Sequence, residues 1–90
     1  MLNQVILVGR IKEIKDYEIK LAVSRSCKNK DGKYETDVIT INMTQKIGDN
    51  VQEFCHKGDI LGVKGHIEKH NNIKIFADKV TFLTSHTKED

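Results

Sequence analysis

The segment Lys57-Gly58-Asp59-Ile60-Leu61-Gly62-Val63-Lys64-Gly65 constrains this chain more than any other. It ends a run with helical spacing and opens one with strand spacing. Gly58 suits the left-handed backbone position just past a helix, where a side chain would clash. Leu61, Val63 and Ile67 recur at period two and so share one face of a strand. Gly62 and Gly65 mark places where that strand bends sharply or another backbone comes close. A helix that ends and hands the chain straight back to a strand fits a small curled sheet. The helix plugs one end of the sheet, and the next strand re-enters it.

The remaining elements follow from periodicity. Leu2 to Ile14 opens with Val5-Ile6-Leu7-Val8, apolar on both faces. Such a strand is buried on both sides. One side faces the interior, and the other predicts a partner subunit. Val5, Ile6, Leu7 and Val8 are therefore the expected interface of a homodimer or homotetramer. Asp16-Tyr17 reads as a short turn. Ile19, Leu21 and Val23 then alternate with Glu18, Lys20 and Ala22, giving a second strand with one buried face. Asn29-Lys30-Asp31-Gly32 is a hairpin-turn signal, since Asp-Gly suits positive backbone dihedrals. Glu35 to Thr44 is a third strand, with Ile39, Ile41 and Met43 inward and Val38, Thr40, Asn42 and Thr44 outward.

Ile47, Val51, Phe54 and Cys55 recur at helical spacing. Asp49 and Gln52 resemble a capping box at its start, and Gly58 ends it. A fourth strand runs from Asp59 to Lys69, and His70-Asn71-Asn72 is a tight turn. Ile73 to Leu83 is a fifth strand with an irregularity near Asp78. The order is β-β-β-α-β-β. That is the order of the OB-fold, an all-β, five-stranded Greek-key barrel with one short helix between strands three and four. SH3-like barrels have five strands but lack this internal helix. Residues 1–84 are the expected domain, and residues 85–90 a frayed C-terminal tail.

Ninety residues make one small domain. A domain of this size buries only about 60–65% of its unfolded surface, which favours association. No run of 18 apolar residues spans a membrane. The N-terminus has no signal-peptide pattern, so the chain is expected in the cytoplasm. Cys27 and Cys55 form no Cys-x-x-Cys pair and are expected as free thiols.

Enzyme chemistry finds little support. Gly58-x-x-x-Gly62-x-x-Gly65 is not a phosphate loop, because no Gly-Lys-Ser/Thr follows. His66 and His70 lie at a strand end, and two histidines alone make no metal site. They are read as solvent-exposed imidazoles. Cys55 and His56 point to different sides of a helix, so they are no nucleophile–base pair. No enzyme, metal or cofactor is expected.

Binding finds more. Residues 1–34 carry eight basic side chains and four acids, net +4, whereas residues 35–90 are net −2. That asymmetry suggests a positive face for a polyanion. Arg25, Lys28, Lys30 and Lys33 cluster around the second hairpin, with Tyr34 beside them. A basic finger with one aromatic can contact phosphates and stack a base. The alternative is a solvated charged loop.

Three ordered stretches resemble bacterial single-stranded DNA-binding proteins of the homotetrameric OB type. Leu2-Asn3-Gln4-Val5-Ile6-Leu7-Val8-Gly9-Arg10-Ile11 is similar to the family's first strand, and Leu21-Ala22-Val23-Ser24-Arg25 to its second. Tyr34-Glu35-Thr36-Asp37-Val38-Ile39 follows, continuing through Asn50-Val51, Glu53-Phe54 and Lys57-Gly58-Asp59 to Val63-x-Gly65. Asp78-Lys79-Val80-Thr81-Phe82-Leu83 is similar to the last strand. The likeness spans residues 2–83.

The resemblance implies single-stranded DNA binding by charged grooves and aromatic platforms, in replication, repair and recombination. The usual platform positions fall at Cys27, Val38 and Thr44, none of them aromatic, and the chain has no Trp. The fourth-to-fifth strand hairpin, which carries another platform, is cut to His70-Asn71-Asn72. The loop between strands one and two is also short. The family's acidic tail is expected to be missing, Thr87-Lys88-Glu89-Asp90 being too short to replace it. Base–aromatic stacking contributes about 1–3 kcal/mol per base. Binding is therefore expected to be mainly electrostatic. The expected phosphate contacts are Lys20, Arg25, Lys28, Lys30, Lys33 and Lys64, with Lys12 added. Tyr34 is the stacking candidate, and Arg10 is left to an interface. The alternative is a primosomal-type interaction module that binds other replication proteins and little or no DNA.

Overall fold

The computed structural model describes residues 1–84. The expected frayed tail, residues 85–90, lies outside the described residues. The elements are β1 (Val5–Lys15), β2 (Glu18–Lys28), β3 (Tyr34–Asn42), α1 (Gln45–Phe54), β4 (Ile60–His70) and β5 (Asn72–Phe82). The strands close a barrel in the order β1-β2-β3-β5-β4. The β3–β5 seam is parallel and short, pairing Ile41 with Ile75 and Asn42 with Phe76. This is the expected OB-fold.

Register shifts between β1 and β2, β2 and β3, and β4 and β5 let the strands curl. On β1, Ile11 pairs with Leu21 and Ile14 with Ile19, and a shift between Ile11 and Glu13 takes up Lys12. Without that extra residue, Ile11 and Ile14 could not both face inward. On β5, Lys79 pairs with Lys64 and Ala77 with Gly65, leaving Asp78 as the extra residue. That is the irregularity expected near Asp78. Gly65 sits at this shift, and a Cβ there would collide with the backbone carbonyl of Phe76. Gly62, by contrast, would make only ordinary contacts with Leu83 and Thr81.

The core is aliphatic. Ile11, Ile19, Leu21, Ile41, Val51, Leu61 and Val63 are its large buried side chains. Each contributes about 1.5–3 kcal/mol by leaving water. Ile67 has the expected parity but is 39% exposed, in the part of β4 past Gly65 that pairs with β5 and no longer with β1.

The helix begins earlier than its sequence suggests. Thr44 is the N-cap, with extended backbone dihedrals, and its hydroxyl accepts from the Ile47 amide at 3.4 Å. The expected Asp49–Gln52 capping box does not form. Asp49 lies inside the helix, and the Gln52 side chain donates to the Asp16 carbonyl in the β1–β2 turn. Val51 and Cys55 are buried and Ile47 is partly buried against the core. Phe54, expected among them, is 53% exposed and packs on Phe82 with centroids 6.0 Å apart. The helix stops at Phe54, so its last residue overhangs the barrel end.

Gly58 takes the left-handed conformation expected of it, at φ 95°. It stands in the turn before β4 rather than directly at the helix end, whose C-cap is Cys55. Asp16 (φ 51°), Gly32 (φ 78°) and Asn71 (φ 71°) take the same region at the three other expected turns.

Candidate nucleic-acid interface

The outer surface of the barrel is continuous across β4, β1, β2 and β3. Ile60 pairs with Arg10, Arg10 with Ala22, and Ala22 with Val38. Paired residues project from the same face of a sheet. A shallow groove crosses this face, lined by Val8, Gly9, Arg10, Lys12, Ala22, Ser24, Thr36 and Ile60. Lys12 therefore comes beside Arg10. Arg10 also donates from Nη1 to the Gly58 carbonyl at 2.7 Å, which ties it to the turn after the helix.

The β2–β3 arm gathers a second group. Asn29 organises its tip: Oδ1 accepts from the amides of Asp31 (2.9 Å) and Lys33 (3.0 Å). Gly32 supplies the positive φ, 78°. Lys28 pairs with Tyr34 across the arm, and its ammonium lies 5.7 Å from the Tyr34 ring centroid. Tyr34 is 58% exposed. Lys28, Lys30 and Lys33 are exposed on the same hairpin. The structure thus brings together three of the expected lysines and the stacking candidate.

Arg25 is placed differently from the expectation of a phosphate contact. Its Nε and Nη2 donate to the Asp37 carboxylate at 2.9 and 3.0 Å, and Nη1 lies 2.9 Å from Glu35 Oε1. The hydrogen bond from Arg25 holds the Asp37 carboxyl below its usual range, and the same bond raises Arg25. One cation meets two carboxylates, so this part of the arm offers no excess positive charge. Lys20 and Lys64 are exposed but stand apart. Lys20 lies between Glu13 and Thr40, and Lys64 between Ile6 and Lys79.

On β1 the four apolar residues divide. Ile6 and Val8 face outward, 68% and 54% exposed. Leu7 packs against the core, and Val5 is half-buried.

Sequence reasoning missed one cluster. His66 and His70 were expected as solvated imidazoles, but both are engaged. His66 Nδ1 lies 3.0 and 3.1 Å from the Asp78 carboxylate oxygens, and its Nε2 lies 2.7 Å from Glu68 Oε2. His70 Nε2 lies 2.7 Å from Glu68 Oε1. The His66 ring stacks on Phe76 at 5.8 Å and 19°, and His70 meets Phe76 edge-on at 5.9 Å and 65°. Hydrogen bonding to Glu68, then Asp78, raises the His66 pKa. Hydrogen bonds from His70 and His66 lower that of Glu68. The sequence signal was the alternation His66-x-Glu68-x-His70, which puts three polar side chains on one face of a strand. No group of three or more His, Cys, Asp or Glu among the described residues is arranged to hold a metal ion. No helix among them is long and apolar enough to cross a membrane.

No family model matches the chain. Individual proteins do. Single-stranded DNA-binding protein B of Bacillus subtilis is 31% identical over 109 residues, covering 99% of this chain and 96% of that protein. Single-stranded DNA-binding protein 1 of Staphylococcus aureus is 30% identical over 112 residues, covering all of this chain and 70% of that protein. Among solved structures, the Plasmodium falciparum SSB in complex with single-stranded DNA matches with a TM-score of 0.73 and 22% identity, over 93% of this chain and 96% of the other. The mitochondrial single-stranded DNA-binding protein of S. cerevisiae matches with a TM-score of 0.70 and 16% identity, over 98% of this chain and 100% of the other. The structural likenesses establish the fold. With the near-complete sequence match beside them, the chain belongs to the bacterial single-stranded DNA-binding protein family.

Proposed function

We propose that this chain binds single-stranded DNA as a cytoplasmic, non-catalytic protein of replication, repair and recombination. The observation that carries the reading is the β2–β3 arm, where exposed Lys28, Lys30 and Lys33 share one hairpin with an exposed Tyr34, whose ring the Lys28 ammonium approaches. Its support is the near full-length similarity to a protein named for that binding. Lysines attract the phosphates, and Tyr34 offers a ring to a base. Lys12, Lys20 and Lys64 add separate positive points on the outer sheet. Arg25 contributes through the shape of the arm, since Glu35 and Asp37 already hold its guanidinium.

Cys27, Val38 and Thr44 offer no stacking platform, so electrostatics carries most of the affinity. The test is titration of a fluorescent oligo(dT) at low and high salt. Micromolar or tighter binding that weakens with salt is expected, with a log–log slope of about −0.7 per neutralised phosphate. No binding at any salt would overturn the reading. It would favour a primosomal-type module whose non-aromatic outer face, with Ala22 and Val38, meets another replication protein.

We further propose that the protein self-associates through β1. Ile6 and Val8 expose an apolar strip that a second copy would cover, and Leu7 supports it from inside.

A further inference from the structure

We propose that Phe76, with the two histidines beside it, forms a stacking site for a single unpaired nucleobase. The proposal rests on the DNA-binding reading and adds a site at none of the positions where the family resemblance places its aromatics.

Phe76 lies on the outer face of β5, opposite His66 on β4 and in parallel register with Asn42 on β3. On the β4 side, His66 stacks on it and His70 meets it edge-on. Two carboxylates fix the His66 ring. Asp78 faces Nδ1 and Glu68 faces Nε2, both at hydrogen-bond distance. A neutral imidazole has one N–H and could satisfy only one of them, so this geometry selects the imidazolium. A planar cation then lies over the Phe76 ring, an attractive arrangement in itself. The aromatic wall is therefore rigid before any ligand arrives, which lowers the ordering cost of binding.

On the β3 side, Phe76 borders an open surface groove with Lys15, Tyr17, Asn42 and Met43. The groove is not basic, because Asp16 and Glu18 line it opposite the one Lys15. Two carboxylates disfavour a phosphate there. A neutral planar group with a π-face suits it, and Asn42 and Tyr17 put polar atoms in the walls. A nucleobase splayed from a single strand has that chemistry, with its phosphodiester left outside the groove. A paired base in a duplex cannot present its face.

The test uses the full chain, the Phe76→Leu variant, oligo(dT) and an abasic oligonucleotide of equal length. Leucine keeps an apolar side chain but removes the π-face. Phe76→Leu is expected to weaken oligo(dT) binding about 5- to 150-fold and to leave abasic binding unchanged. Equal oligo(dT) affinity for variant and parent overturns the site and leaves the DNA-binding reading standing. If the parent binds neither oligonucleotide, that reading falls and the site with it. Photocrosslinking of the parent to oligonucleotides carrying 5-iododeoxyuridine tests the site without a variant. Crosslinks in β5 at Phe76 support it, and crosslinks confined to the β2–β3 arm overturn it.

Discussion

The amide of Gly58 donates to the carbonyl of Ile11 at 2.8 Å, and the Ile11 amide donates to the Asp59 carbonyl at 2.8 Å. This reciprocal pair pins the turn after the helix to the middle of β1. Asp59 stabilises the turn from within, accepting from the His56 amide at 2.8 Å. Gly58 holds this place with φ at 95°. Gly58→Ala is therefore expected to destabilise the fold by about 1–2 kcal/mol, the cost of a left-handed L-residue. Urea unfolding with an unchanged m-value measures it. A variant as stable as the parent would show that the turn relaxes without loss.

Gly65 is a different case. Its constraint is a backbone neighbour, since a Cβ would meet the Phe76 carbonyl at the β4–β5 register shift. A carbonyl in a ladder cannot rotate aside as a side chain can. Gly65→Ala is expected to lie at or above the upper end of the about 1–3 kcal/mol range for overpacking. Gly62→Ala, with only ordinary contacts around it, is expected to be nearly neutral. Parallel urea titrations of the two variants give the ranking, and the reverse order would contradict it.

Much of this was legible in local chemistry. Turns at Asp16-Tyr17, Gly32 and His70-Asn71-Asn72 follow from which residues tolerate positive φ, and strand faces follow from period two. The features missed depend on partners distant in sequence. Thr44 rather than Asp49 caps the helix because β3 ends at Asn42, and Gln52 is drawn to the Asp16 carbonyl across the fold. Arg25 counts as a cation in any tally of charge, yet pairing of β2 with β3 brings Asp37 and Glu35 onto it. His66 reads as exposed until β5 delivers Asp78 and Phe76 beside it.

The His66 cluster makes stability depend on pH in a direction that can be worked out. The carboxylates of Glu68 and Asp78 raise the folded-state pKa of His66 above its ordinary value of 6.5. The folded protein thus holds that proton more tightly than the unfolded chain. The stabilisation is fully present below 6.5 and is lost as pH rises through the folded-state value. Glu68 has the opposite sense: its folded-state pKa is lowered, so its contribution is lost as pH falls through that value. His70 on β4 contacts Glu68, and Lys74 on β5 is paired with Glu68 across the ladder. Denaturation midpoints of the parent should fall relative to those of His66→Gln as pH rises above 6.5. Parallel curves for the two proteins would contradict the assignment.

Arg25 and the arm lysines are distinguishable by salt. Asp37→Asn removes a carboxylate from Arg25 and so adds a net positive charge to the arm. Oligo(dT) affinity at low salt is expected to rise, and the log–log salt slope to steepen by up to about 0.7. Replacing Lys28, Lys30 and Lys33 together by Ala is expected to flatten the slope by about 2, close to 0.7 for each lost contact. An unchanged slope in the triple variant would move the phosphate path off the arm.

The outer strip of β1 sets the oligomeric state in the proposed reading. Ile6 pairs with Lys64 and Val8 with Gly62 on β4, so both apolar side chains stand on the outer face of the β1–β4 ladder. A groove lined by Ile6, Val8, Gly62, Lys64, Thr81 and Leu83 runs along it. Covering such a strip removes apolar surface from water at about 25 cal/mol per Å², and charge placed in its centre would be desolvated without a partner. Val8→Asp is therefore expected to convert the oligomer to monomer while leaving the barrel folded, because Val8 points away from the core. Light scattering reads the mass and far-UV circular dichroism reads the fold. A parent that is monomeric at micromolar concentration would remove β1 as an interface. A Val8→Asp protein that stays oligomeric would place the interface elsewhere.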